Sequence, residues 1–244
     1  MYFVEGNMGA GKSTFLRMLS HRLEHVHVEL EGHQRWDNAE NKHQDAQSSL
    51  LELYYHDRNR WSYTLESWTM MCRVQDHIRR QELSHDMIVA ERSVYSGHYG
   101  FAVHNYRTGA LTELEWETYR KLFALLVTQQ CVAPQGFIYL KVDPEIVFNR
   151  MKKRARSAEQ VVPLEYLCAI GACHDDFLIH KKDVACDIQN TPVLVLDCNK
   201  SFEHDQEYFY ELCDKVQEFV KRTYVAGSKN KNLQNQEKNQ MLFS

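Results

Sequence analysis

An α/β fold, with a five-stranded parallel sheet covered by helices on both faces, is predicted by three observations on this 244-residue chain. Short apolar segments alternate with longer helical ones, the pattern of strands joined by crossover helices. The first strand runs into a glycine-rich loop and then an amphipathic helix. Length and composition suit a single hydrophobic core.

The elements follow in order. Tyr2–Glu5 is the first strand, and the loop after it reads Gly6-Asn7-Met8-Gly9-Ala10-Gly11-Lys12-Ser13, with Thr14 next. In the helix that follows, Phe15, Met18, Leu19 and Leu23 line one face, with Arg17, His21, Arg22 and Glu24 opposite. Val26–Leu30, Met87–Ala90, Phe137–Val142 and Val193–Leu196 are the remaining strands. Tyr208, Leu212, Val216, Phe219 and Val220 mark a last amphipathic helix. Residues 226–244 are rich in Asn, Gln and Lys without periodicity, and disorder is expected there. A single domain over residues 1–225 is the expectation. In such a sheet, ligands bind at the carboxyl ends of the strands.

Composition excludes several function classes. With 29 basic against 33 acidic residues, no global field draws the chain to nucleic acid or to a membrane. No apolar run approaches a bilayer span. The seven cysteines are odd in number and contain no C-x-x-C, which suits reduced thiols better than a disulfide frame or zinc site. Met1-Tyr2-Phe3-Val4 already reads as strand, so no leader is expected and a cytoplasmic location follows.

The loop fits G-x-x-x-x-G-K-[ST] between a strand and a helix, the setting that motif requires. Its glycines let backbone N–H groups converge on a triphosphate, and the helix N-terminus adds partial positive charge. Lys12 can reach the β- and γ-phosphates, and the Ser13 hydroxyl can ligate Mg²⁺. The motif fixes nucleotide binding and leaves the acceptor open.

Three further segments narrow the acceptor. Glu31 ends the second strand, five residues before Trp36; Glu91-Arg92-Ser93 closes the third. Arg150, Arg154 and Arg156 form a cationic cluster followed by Glu159 and Pro163-Leu164-Glu165-Tyr166. Together with the loop, E-x-x-x-R-W, E-R-S-V-Y-S with Phe101 after it, and R-x-x-x-R-x-R-x-x-E-Q-x-x-P-L-E-Y-L, the chain resembles the deoxycytidine/deoxyguanosine kinase family from about residue 2 to 222.

The resemblance implies a P-loop kinase fold with a lid around residues 150–162, ATP as donor and a deoxynucleoside as acceptor. A sugar hydroxyl is a poor nucleophile and needs a base within hydrogen-bond reach. Glu31 is the candidate base and Arg92 its orienting partner, while Glu91 would hold Mg²⁺ opposite Ser13. The lid arginines would neutralise charge on the transferring phosphoryl group. The resemblance further implies that Tyr55 and Glu159 bind the 3′-hydroxyl, that Trp36, Leu65 and Phe101 enclose the base, that Phe202 lies in the donor-base loop, and that the protein is a homodimer.

The pattern is broken near the base. Where relatives carry Gln, Trp61-Ser62-Tyr63-Thr64-Leu65 is followed by Glu66; where relatives carry Asp and Arg after E-R-S-V-Y-S, Gly97 and His98 stand. An ionised Glu66, an Arg73 freed by the missing Asp and a small Gly97 would together favour guanine first, with a broad purine or mixed preference second. Alternatives stay open at this stage. Glu29 is a rival base, Glu91 and Arg92 could be a structural ion pair, and the basic run could serve nuclear import. A nucleoside-monophosphate kinase and a non-catalytic homologue are rival functions.

Overall fold

The computed structural model describes residues 1–23, 25–32, 49–85, 87–156 and 159–224; Trp36 and the 226–244 tail lie outside them. Five strands form one parallel sheet in the order β2-β3-β1-β4-β5: β1 (Tyr2–Glu5), β2 (His27–Glu29), β3 (Ile88–Glu91), β4 (Gly136–Lys141) and β5 (Val193–Asp197). Every expected strand is present, with ends shifted by at most one residue. Central β1 pairs on both sides, Val4 standing opposite Glu91 and Ile138. The chain leaves β1 toward β2 at one edge and leaves β3 toward β4 on the other side. The carboxyl ends of β1 and β3 therefore flank the crevice where such sheets bind ligands.

Side-chain alternation along the strands builds two cores. Tyr2 and Val4 of β1, with Ile138 and Leu140 of β4, face α1 (Lys12–Arg22) and the C-terminal helix. Phe3, Phe137 and Tyr139 face the other way. Period-two alternation of apolar residues on a sheet packed on both sides demands helices on both faces.

The intervening chain supplies them. α2 (Leu50–His56) starts at a capping box of Ser49 and Glu52, and α3 (Arg58–Glu82) follows almost at once, capped by Asp57. After β3, α4 (Val94–Ser96) widens into π-helical turns over Gly97–Ala102 and continues as α5 (Val103–Arg107). α6 (Glu113–Gln130) opens on a second capping box, Thr112 with Glu115. α7 (Pro144–Arg154) begins with proline, whose missing N–H costs nothing in a first turn. α8 (Leu164–Leu178), α9 (Cys186–Gln189) and α10 (Gln206–Thr223) complete the fold. The expected stripe of α10 buries Leu212, Val216, Phe219 and Val220. Each such side chain contributes roughly 1.5–3 kcal/mol of burial.

Candidate active site

The loop after β1 takes backbone angles open mainly to glycine, with φ of 145°, 78° and 93° at Gly6, Gly9 and Gly11. Inside it, the Lys12 ammonium donates to the carbonyls of Gly6 (3.2 Å) and Asn7 (2.8 Å). Burial, and next the charge of Arg92, lowers the Lys12 pKa to about 7. Asn7 ties the loop to α8 through a 2.8 Å bond from its Nδ2 to the Leu167 carbonyl, and its Oδ1 accepts from the Met8 N–H. Ala10 is buried beneath the loop, while Met8, Gly9, Ser13 and Thr14 line the cleft above it. Phe202, in the loop after β5, is only 3% exposed; it packs edge-on to Phe15 and comes within 3.0 Å of where a Cβ on Gly11 would stand.

Two carboxylates, Glu31 and Glu91, meet at the ends of β2 and β3, each with a separate set of partners. Ser13 Oγ donates to Glu91 at 2.9 and 3.0 Å. The Glu31 backbone N–H also points at Glu91 (3.4 Å), which places the two acids side by side. The Glu31 carboxylate accepts from Arg73 Nε (3.1 Å) and Nη2 (2.7 Å) on one oxygen, with Arg92 Nε 3.4 Å from the other. Glu91 and Arg92 are thus not simply an ion pair with each other. Glu29, the rival base, is engaged elsewhere by Arg79 (2.8 Å) and Arg80 (2.9 Å). Burial opposes its ionisation, but these two arginines outweigh it and hold its pKa at about 2.

Arg92 adopts a left-handed backbone, φ 54°, which costs a non-glycine residue about 1–3 kcal/mol. Its neighbours over-determine that conformation. Its N–H donates to the Val4 carbonyl (3.0 Å), its guanidinium lies 5.0 Å over the Phe101 ring, and the next residue, Ser93, donates its N–H and Oγ to buried Glu5.

Arg154 and Arg156 reach the cleft that Lys12 and Ser13 also line. Both meet the buried Glu159, Arg154 at 2.6 Å and Arg156 at 3.6 Å. Arg150 lies apart from them. It donates to the carbonyls of Cys198 and Asn199 at 3.0 Å each, holding the loop after β5 rather than facing the phosphate cleft as expected. Tyr55 donates to Met8 Sδ at 3.3 Å, beside the phosphate loop.

The residues assigned to the base correct the sequence reading in three respects. Arg73 is not free for a base, because two of its nitrogens hold Glu31. Gly97 does not leave room for one either. A Cβ there would stand 2.5 Å from Arg73 Nη1, so the glycine makes space for the arginine. Leu65 is buried against Tyr54, Tyr55 and Trp61. Glu66 is buried too, one face of α3 carrying it and Arg73 at i and i+7. Burial raises its pKa to about 8 against the lowering pull of Arg73, so it is not the ionised carboxylate first expected.

Comparison with known proteins matches the deoxynucleoside kinase family model over residues 2–221. The chain belongs to that family. It is 35% identical to mitochondrial deoxyguanosine kinase of Xenopus laevis, covering 89% of this chain and 88% of the relative. It is 32% identical to deoxycytidine kinase of Mus musculus, covering 89% of each. Mitochondrial thymidine kinase 2 of Homo sapiens is also 32% identical, over 87% of this chain and 76% of the relative. As a deoxynucleoside kinase the protein is an ATP-dependent phosphotransferase. Among the described residues, no helix is long and apolar enough to cross a membrane.

The kinase's donor set suits Mg²⁺. A hydroxyl and a carboxylate in contact beside a phosphate loop leave most of an octahedral shell to water and phosphate oxygens, as this ion prefers. Sequence reasoning missed four residues that hold the assigned ones in place: Glu5, Tyr54, Arg58 and Asn105. Glu5 is fully buried at the end of an apolar strand, Asn105 is fully buried in a short polar helix, and Tyr54 was overlooked beside Tyr55. For Glu5, a polar residue inside an apolar segment was the signal available.

Proposed function

We propose that this kinase transfers the γ-phosphoryl group of ATP to the 5′-hydroxyl of a deoxynucleoside, with Glu31 as general base. The observation that carries this reading is the Glu31 carboxylate, held by Arg73 and Arg92 while its own N–H meets Glu91. That arrangement sets a base for a neutral hydroxyl beside the phosphate loop's metal ligands. Arg73 fixes the carboxylate's direction, and Arg92 serves both the base and the transferring group. Mg²⁺ on Ser13 and Glu91 would neutralise phosphate charge when bound with ATP. Tyr55 and Glu159 are assigned to the sugar 3′-hydroxyl, with Leu65 and Phe101, and Trp36 outside the described residues, around the base. Initial rates with the four deoxynucleosides and separately with their 5′-monophosphates test the assignment. Turnover of monophosphates alone would make the protein a nucleoside-monophosphate kinase instead.

The lid arginines divide into two roles. Arg154→Ala and Arg156→Ala should lower kcat more than they raise the nucleoside KM, since they line the phosphate cleft. Arg150→Ala should act mainly on the KM for ATP, through the loop it holds. Steady-state kinetics varying each substrate separate the two patterns. Equal effects of all three on kcat alone would contradict the division.

A guanine preference keeps little support once Arg73 and Gly97 are committed to Glu31 and to each other, and the acceptor base is reconsidered below. The resemblance also carries a homodimer, for which exposed Met71 on α3 and Leu122 and Leu125 on α6 are candidate contacts. Light scattering would report its mass. A cytoplasmic location is proposed from the cysteine pattern, which suits reduced thiols.

A further inference from the structure

Asn105 is completely buried on α5, where it meets three side chains. Arg58 Nη2 lies 2.7 Å from its Oδ1, and the Tyr54 hydroxyl donates to the same oxygen at 2.9 Å. Arginine has no acceptor, so the atom facing Arg58 must be the amide oxygen. The orientation of the Asn105 side chain is thereby decided. Its Nδ2 must point the other way, and there it donates to Glu66 Oε1 at 2.8 Å.

Glu66 makes no ion pair among the described residues, and the only hydrogen-bond donor to its carboxyl there is this uncharged amide. The charged and titratable groups facing it are few. On α3 itself, Arg73 is spent on Glu31, and Arg58 on Asn105 and Thr108. Tyr54 on α2, Tyr119 on α6 and Tyr166 on α8 complete the set, and burial raises the pKa of each hydroxyl, keeping it neutral. A buried carboxyl without a counter-ion in contact keeps its proton. Because Oε1 is pinned as an acceptor, the proton belongs on Oε2.

We propose that Asn105 is a positioning residue for base selection: it sets Glu66 to meet the base as a neutral acid, one oxygen donating and the other accepting, which selects bases bearing a ring-nitrogen acceptor beside an amino group. Those bases are cytosine, through N3 and its 4-amino group, and adenine, through N1 and its 6-amino group. Thymine and guanine present a ring N–H at the corresponding place, which an ionised Glu66 would accept and a protonated one opposes. The neutral acid thus does with two oxygens what an amide does with oxygen and nitrogen. The inference rests on the kinase reading above and names the acceptor class at that same site.

The sign of the pH dependence follows. The titration near pH 8 removes the donor, so preference for amino bases is present below it and lost above. The test measures kcat/KM for deoxycytidine and deoxyadenosine against thymidine and deoxyguanosine between pH 6.5 and 8.5. The ratio should favour an amino base at pH 6.5 and fall by at least about fourfold by pH 8.5, the loss of protonated fraction alone for a group titrating near 8, with any gain by the ring N–H bases adding to it. Glu66→Gln should keep the preference and make the ratio independent of pH. Asn105→Leu should shift the midpoint of that profile, which a purely structural loss would not do.

Thermal unfolding supplies a readout independent of turnover. The native Glu66 keeps a proton that the unfolded chain gives up near pH 4–5, so wild type should lose stability relative to Glu66→Gln as pH rises from 5 to 8. A pH-independent ratio in wild type, a preference for thymidine or deoxyguanosine at pH 6.5, or parallel stability curves would each overturn the proposal. Absence of turnover with every deoxynucleoside would instead overturn the kinase reading, and the stability curves would still test the proton.

Discussion

Glu31→Gln is expected to lower kcat by about 10²–10⁴ while leaving nucleoside KM within a few-fold of wild type. Glutamine keeps the size of the side chain and can still accept from Arg73, but it cannot take the proton of the attacking hydroxyl. The structure sharpens this expectation, because Glu29 cannot substitute. Its carboxylate is bound by Arg79 and Arg80 and held at a pKa of about 2, too weak a base to take over. A Glu31→Gln enzyme turning over near the wild-type rate would remove Glu31 from the chemistry. The pair Glu31→Gln and Glu29→Gln, measured side by side, therefore gives opposite outcomes, with the second expected to affect stability more than turnover.

Lys12→Ala is expected to cost about 10²–10³ in kcat, the range for removing one preorganised donor from a developing anion. Its effect carries a pH signature. In the free protein the ammonium rests on the Gly6 and Asn7 carbonyls, with its pKa lowered to about 7. Triphosphate favours the charged form, so binding above pH 7 must take up a proton. Affinity for ATP should then weaken as pH rises from 7.5 to 9, by up to about tenfold per unit. Calorimetric titrations in buffers of different ionisation heat would show the uptake directly. Lys12→Ala should bind ATP weakly and without it. Proton release on binding in wild type would contradict the picture.

The sheet was legible because a parallel strand buried on both faces must alternate apolar residues between two cores, as Tyr2, Phe3 and Val4 do. The phosphate loop was legible because its φ values leave glycine little competition. Glu31, Glu91 and Arg92 were placed by the ends of strands whose order follows from the crossover pattern. Side-chain commitments were not legible. Whether Arg73 serves a base or a carboxylate depends on where β2 ends relative to α3, and α3 passes Glu31 close enough for two hydrogen bonds. Arg150 and Arg154 share a helix face at i and i+4, yet one turn of α7 separates the loop after β5 from the cleft. The ionisation of Glu66 was invisible for a related reason. It depends on Asn105 and Arg58, two residues far apart in sequence that folding turns toward each other.

Phosphoryl destination is the most direct test of the central claim. With enzyme in excess over ATP labelled in its γ-phosphate, and each deoxynucleoside supplied in turn, a single turnover should move the label to a deoxynucleoside 5′-monophosphate. Glu31→Gln should slow that step by at least about a hundredfold at saturating substrates. Label passing only to inorganic phosphate with every deoxynucleoside, or to a diphosphate only when a monophosphate is supplied, would contradict a base at Glu31 acting on a nucleoside hydroxyl.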